Sequence, residues 1–520
     1  MPAPKVSPFK DEASVASHFG PNSEPNVGSL RRELAVVTFI VLTVSLILWW
    51  RFLPLPDPDL NFYTEPALLL AKFGKLVGPG SQYVDLTYQK GIYNYPPGHF
   101  LILAGWIKLW GFSADSLLAY THLVHAGVLI ILWVLLRIRY GCSKLISALS
   151  LLAIFPRMAH GRPDLPACFF SLAAWLALPE EENLGRLILS GCLAGATMLV
   201  SPGYGVSTVA ALTVLVLAGQ RNSFRERVRT LAIWLFSAGA VFAGALAIVL
   251  YLQSSWTLAY VQFKTNAAIR GAEVNVLPDF HLLYTLVFSV VPFLILAVLP
   301  ALLVALATWR SPAKRLRTLS LAFLAGAAVW FTMNRSQLLL AHHYLFPAKS
   351  IFLGVLCSWP RFPTWVRAVP LLLLSVIGFY LYKSDFLYLT TPLRDEERQY
   401  AARVHPVGEV AVDSLYFTRF YAFGRTLNYG TMERRYWPEY LAAIPANLRE
   451  ELLSGLQREP AEPSMLVISE STMPRDGRFF HGNLPCTRPP EASERLRVLG
   501  RTWNLPAQPY ALTVCSGTGP

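Results

Sequence analysis

The run LAVVTFIVLTVSLILWW (Leu34–Trp50), followed closely by DPDLNFYTEPALLLAKFGKLVGPGSQYVDLTYQKGIYNYPPGHF (Asp57–Phe100), decides the architecture. The first part is apolar throughout and long enough to cross a bilayer, and its paired Trp49 and Trp50 suit the aromatic belt at a membrane boundary. The second part therefore emerges on the far side from the N-terminus. It is polar, aromatic and Pro/Gly-rich, and at about 45 residues it is long for a connection; such connections more often carry function than not. It opens with two carboxylates, Asp57 and Asp59. A carboxylate is costly to bring into a dry site at a membrane, so one placed there usually serves a purpose. The competing reading is that these residues begin a surface helix, whose N-terminus favours acidic side chains.

The whole chain has the composition of a membrane protein. Apolar residues make up 54% and charged residues 15% of the 520, with a mean hydropathy of +0.41. About a dozen apolar runs of roughly 13 to 26 residues recur between Leu34 and Leu389, which predicts an all-α polytopic protein with about 11–13 transmembrane helices. The net charge of +13 does not mark a nucleic-acid partner, because much of the excess sits in short loops between apolar runs. The N-terminus lacks signal-peptide organisation, so Leu34–Trp50 reads as a retained anchor.

Residues 1–33 are expected to form a disordered cytoplasmic arm and 34–389 the transmembrane domain, with an outer loop over 51–97. The basic stretches 137–144, 221–229, 309–317 and 361–367 predict cytoplasmic loops. The number of apolar runs between them is even each time. The same count puts 160–164, 253–281 and everything after Leu389 outside. Counting from a cytoplasmic N-terminus leaves one crossing too many before Arg137, and the simplest repair makes 98–112 re-entrant or interfacial. Residues 390–520 read as a soluble extracytoplasmic α/β domain, with strands in GEVAVDSLYF, SMLVISE, RLRVLGRTW and YALTVCS and a helix in PEYLAAIPANLREELLSGLQ. Its two cysteines, Cys486 and Cys515, are candidates for a disulfide that such a compartment would preserve; two free thiols are the alternative.

Three polar knots could do chemistry. The first is the outer loop. In the second, FPRMAHGRPDLPACFFSLAAW (155–175), Arg162 and Asp164 stand at the outer end of a span; guanidinium suits an anionic headgroup, while a capping Asp neutralised by its neighbour is the bland reading. The third, NRSQLLLAHHYLFPA (334–348), holds His343 and Tyr344. Adjacent histidines point about 100° apart on a helix and make a poor metal pair. Lys264 and Arg270 on the outer face are phosphate-contact candidates against a background of solvated loop charge. No phosphate loop, HExxH helix or G-x-S-x-G elbow is present.

The order of these features resembles the GT-C glycosyltransferases: a first span, an outer loop with an early Asp (Asp59), A-x-x-x-A-x-x-G (Ala67–Gly74), then Tyr95-Pro96-Pro97 before the next apolar run. HGRPD is similar to the Arg/Asp motif of that group, and HHYLFPA to its aromatic segment near the last spans. The branch it resembles is the dolichyl-phosphate-mannose protein mannosyltransferase and aminoarabinose transferase group. The chain departs from it in places. Leu60 replaces the Glu of the common Asp-Glu pair, Phe62-Tyr63 stands where Arg-Tyr is usual, and Asn94-Tyr95 replaces an acidic zinc ligand. Zinc by that route is not expected; the cofactor set stays open between none and a divalent cation.

The resemblance implies inverting transfer of a sugar from a polyprenyl-phosphate-linked co-substrate to a lipid, glycan or protein acceptor on the outer face of the cell membrane. Asp59 would be the general base. Tyr63, Tyr95, Arg162, Asp164, Lys264, Arg270, His343 and Tyr344 would bind substrate, and the spans would hold the isoprenoid tail among membrane lipids. A secondary transporter and a non-catalytic membrane scaffold are the rival readings; the transporter is weakened by the lack of a paired repeat.

Overall fold

A computed structural model describes residues 27–51, 58–74, 76, 97–152, 163–180, 182–219, 223–253, 291–309, 314–333, 345–358, 368–373 and 375–376, and five short strands between 410 and 516. Helix α1 (Val27–Arg51) runs antiparallel to α4 (Ala114–Val134), which continues as a π-helical turn over Leu135–Arg139. Both ends of the pair are pinned. At one, Arg137 donates from Nε to Glu33 Oε1 at 2.5 Å and from Nη2 to Oε2 at 3.0 Å, with Lys144 Nζ 3.4 Å from the same carboxylate. At the other, Trp49 Nε1 donates to the Asp115 carbonyl at 3.0 Å. Gly28–Trp50, Asp115–Arg139 and Phe224–Val249 are the three described helices long and apolar enough to cross a membrane. The helix begins at Val27, seven positions before the expected anchor. Residues 27–33 of the arm expected over 1–33 are thus helical, and Glu33 among them pairs with Arg137.

Two helices lie between these spans, α2 (Pro58–Phe73) and α3 (Gly98–Trp110), packed on each other. The segment that holds them leaves and rejoins the bundle at one end, since Arg51 and Ser113 flank the same Trp49–Asp115 contact. Helix α3 is only about 20 Å long against a hydrocarbon core of about 30 Å. Its far end stays close to the Trp49 end of the bundle, where Trp106 Nε1 donates at 3.0 Å to both the carbonyl and Oγ of Ser116. Its near end is just as fixed: a Cβ on Gly98 would meet the Leu199 carbonyl oxygen at 2.7 Å. Both ends of α3 therefore stand at the Trp49 end of the bundle.

The remaining helices can be oriented by the same two landmarks. Helix α5 (Lys144–Leu152) starts at the Glu33 end. For α6 (Asp164–Ala177), Trp175 Nε1 donates to Tyr140 Oη at 2.7 Å and the Trp175 carbonyl accepts from Arg139, so Asp164 stands toward the Trp49 end. Helix α7 (Leu184–Val200) begins where Arg186 donates to the Leu176 carbonyl at 3.0 Å and ends against Gly98. Helix α8 (Pro202–Ala218) returns, and α9 (Phe224–Gln253) runs parallel to α7.

That last pair is close because of two glycines one turn apart. A Cβ on Gly191 would lie 2.6 Å from the Trp234 carbonyl oxygen, and one on Gly195 would lie 2.3 Å from that of Ala238. Small residues at this spacing let helix backbones approach inside a membrane. Trp234 Nε1 donates to Ser190 Oγ at 3.1 Å, and Ser190 donates on to the Ala174 carbonyl at 2.8 Å, tying three helices together.

Helix α10 runs from Val291 through a π-helical turn at Leu294–Val298 to Ala307. It ends beside α11 (Lys314–Met333), whose Arg317 donates to the Trp309 carbonyl at 2.6 Å. Arg315 reaches the Arg139 carbonyl and lies 3.4 Å from Glu180, which fixes this corner at the Glu33 end. Helix α12 (Phe346–Cys357) packs Gly354 against Leu136 and Ser150, so Phe346 faces the Trp49 end.

Toward the C-terminus, β1 (Val410–Asp413), β2 (Thr426–Tyr429), β3 (Met465–Ser469), β4 (Cys486–Thr487) and β5 (Leu512–Ser516) pair in the order β2-β1-β3-β5-β4. β1 is parallel to β2 and β3, and β5 is antiparallel to β3 and β4. β1, β3 and β5 fall inside expected strands. β2 and β4 lie outside the expected strands. RLRVLGRTW and the expected helix near 438–457 lie outside the described residues.

Candidate functional site

The bundle separates its connections by end. Arg137, Arg139, Lys144 and Arg315 cluster around Glu33 and Glu180, and α12 ends at its C-cap Ser358 on the same side. The described residues that flank the remaining connections stand at the opposite, Trp49 end. The chain from Arg51 to Ser113 departs from it and returns to it. The segment 254–290 joins Gln253 to Val291, and 334–344 joins Met333 to Leu345, all four at that end.

Among the candidates, Asp59 is the second residue of α2, in its first turn. A first-turn place is common to the helix-start reading and the general-base reading. Asp57 lies outside the described residues. One turn after Asp59, Tyr63 is buried, with its ring 6.0 Å from that of His99 in an edge-on contact at 88°. Tyr63, Leu68 and Leu76 share a cluster with Phe100 and Leu103 of α3, Tyr120 of α4 and Val249 of α9. The α2 backbone that carries Asp59 is therefore held by the core at the Trp49 end. Asp164 is the first residue of α6, behind Pro163, and is half-buried. Tyr95, Arg162, Lys264, Arg270, His343 and Tyr344 lie outside the described residues.

Four ionisable groups escaped the sequence reading. His99, two residues past Pro97, is wholly buried, and His122 and His125 are buried one turn apart along α4. Lys349 is 5% exposed in the first turn of α12, with Nζ 5.8 Å from both the Phe293 and Phe346 ring centroids. An available signal was the rarity of ionisable side chains inside apolar runs. At the last turn of α2, partial burial lowers the Lys72 ammonium below its ordinary pKa. Among the described residues no group of three His, Cys, Asp or Glu side chains could hold a metal ion.

Residues 94–243, from Asn94-Tyr95-Pro96-Pro97 through most of α9, match the model of the dolichyl-phosphate-mannose-protein mannosyltransferase family. Across nearly the whole chain the structure is similar to the crystal structure of ArnT from Cupriavidus metallidurans bound to undecaprenyl phosphate, at 13% identity, covering 93% of this chain and 99% of that one with a TM-score of 0.56. A mycobacterial arabinofuranosyltransferase, AftD, aligns at 16% identity over 74% of this chain and 29% of its own, with a TM-score of 0.39, too low to speak for a common fold. No curated protein matches the sequence. The chain thus shares the overall fold of ArnT, and three of its described helices are long and apolar enough to cross a membrane.

Proposed function

We propose that this chain is an integral membrane glycosyltransferase that moves a sugar from a polyprenyl-phosphate-linked donor to a lipid, glycan or protein acceptor. The observation that carries the reading is the common end of the bundle. Asp59, Tyr63 and Asp164 lie on helices anchored at the Trp49 end, and Gln253, Val291, Met333 and Leu345, which flank the segments containing Lys264, Arg270, His343 and Tyr344, stand at that same end. By the distribution of Lys and Arg, the Glu33 end faces the cytoplasm and the reaction proceeds on the extracytoplasmic side. The exported tail forms an α/β domain on that side.

The chemistry follows from what each group can do. The acceptor hydroxyl attacks the anomeric carbon as the bond to the phosphate oxygen breaks, and the lipid phosphate leaves with the electron pair. A hydroxyl is a weak nucleophile at neutral pH, so Asp59 takes its proton as the new bond forms, with inversion at the anomeric carbon. Cations lower the barrier by stabilising charge that develops on the departing phosphate. Arg162, Lys264 and Arg270 serve this role, joined by Lys72 and the buried Lys349. Asp164 orients Arg162 or the sugar, and Tyr63, Tyr95, His343 and Tyr344 line the sugar's approach. ArnT, with its bound undecaprenyl phosphate, supports a polyprenyl phosphate as the leaving group.

The test is donor turnover. Purified protein given a polyprenyl-phosphate sugar and membrane acceptor extract should release polyprenyl phosphate, and the product should carry the opposite anomeric configuration. Substrate uptake into proteoliposomes without donor consumption would replace this reading with transport.

A further inference from the structure

The sheet brings together two residues that the chain separates. Cys486 on β4 is the direct antiparallel partner of Cys515 on β5. The register extends this pairing across the sheet, because Cys515 also faces Leu466, Leu466 faces Ala411, and Ala411 faces Leu427. Both cysteines thus end one continuous apolar row, and residues in such a row share a face of the sheet. Directly opposed antiparallel residues have Cα atoms about 4.5 or 5.5 Å apart, depending on their hydrogen-bonding pattern. Either value falls in the 4.4–6.8 Å span usual for a disulfide. A register slip of one residue would put the two on opposite faces.

Two further facts favour a bond. The other cysteines, Cys142, Cys168, Cys192 and Cys357, are free thiols within the helical bundle. And β4 is an edge strand of two residues, too short for backbone pairing alone to hold it firmly.

We propose that Cys486 and Cys515 form a structural disulfide that staples edge strand β4 to β5, and that the sheet resides in an oxidising compartment. The bond forms by exchange. A disulfide of an exported thiol–disulfide oxidoreductase accepts the electron pair and is reduced to a dithiol, as the two cysteine thiols lose their protons and join. The proposal is independent of sugar transfer, and inactive protein would still carry the bond.

Membranes would be quenched with N-ethylmaleimide before solubilisation, and the full chain purified and digested without reductant. The expected product is a Cys486–Cys515 cross-linked peptide, with the four bundle cysteines alkylated. A maleimide-polymer gel shift on the denatured chain should gain two labels on reduction. In C486A it should gain none, and Cys515 should already be labelled. Alkylation of both Cys486 and Cys515 before reduction, or a bond from either to a bundle cysteine, would overturn the proposal. If C486A does not accumulate, the peptide map of the unaltered protein decides alone.

Discussion

Helix α3 offers two glycines at which the same substitution should act in opposite directions. At Gly98 an added methyl would meet the Leu199 carbonyl oxygen at 2.7 Å, the Leu199 carbonyl carbon at 2.8 Å and the Val200 nitrogen at 3.0 Å. All three are backbone atoms at the end of α7, so no side chain can swing aside. The start of α3 must then lift from α7, at an expected cost of about 1–3 kcal/mol, the usual range for overpacking. At Gly105, seven residues along, nothing lies within 4 Å of the added methyl. There Gly→Ala gains only helix propensity, about 0.5–1 kcal/mol. The consequence reaches beyond stability, because His99 follows Gly98 and packs on Tyr63, one turn from Asp59. Gly98→Ala should therefore lower apparent thermal stability and sugar transfer together, whereas Gly105→Ala raises stability and leaves transfer unchanged. Both would be scanned beside the parent in one detergent at one heating rate. A Gly98→Ala protein as stable and as active as the parent would refute the claim that α3 is clamped to α7 at the Trp49 end.

Asp59→Asn should cut transfer by about 10²- to 10⁴-fold, the worth of a general base, with stability unchanged; Asp57→Asn should be milder. If Asp59 only begins a helix, the variant instead loses about 1 kcal/mol and turns over normally. Arg137→Met removes the main partner of a Glu33 side chain only 10% exposed, and should cost about 1–3 kcal/mol; Glu33→Gln, which keeps the shape and removes the charge, should cost less, and a thermal scan ranks the pair. A cysteine introduced near Gly455 should react with an impermeant maleimide in intact cells. Labelling only after permeabilisation would reverse the sidedness and move the reaction to the other face.

Much of the membrane architecture is legible in the chain itself because its determinants are local. A bilayer demands apolar runs of a set length, and Lys and Arg beside them report sidedness one loop at a time, so the end-to-end sorting of 137–144, 223–229 and 309–317 is already implicit in their composition. Whether 98–112 crosses is not local: its apolar run suits either answer. What the tertiary structure adds is Trp49 on Asp115, Trp106 on Ser116 and Gly98 against Leu199, contacts that hold both ends of α3 at one end of the bundle. The pairing of Glu33 with Arg137, 104 residues away, is likewise a tertiary matter. The close approach of α7 to α9 depends on Gly191 and Gly195 meeting Trp234 and Ala238, and neither glycine is distinguishable in sequence from one facing open space, as Gly105 does. Burial of His99 and Lys349 could not be read from periodicity either, because a single ionisable residue in an apolar run shows neither which way its helix turns nor what stands opposite. The same limit applies to Cys486 and Cys515. Their composition suggests a pair, but only strand register sets one opposite the other, since each strand is too short to announce its partner and a shift of one residue would part them.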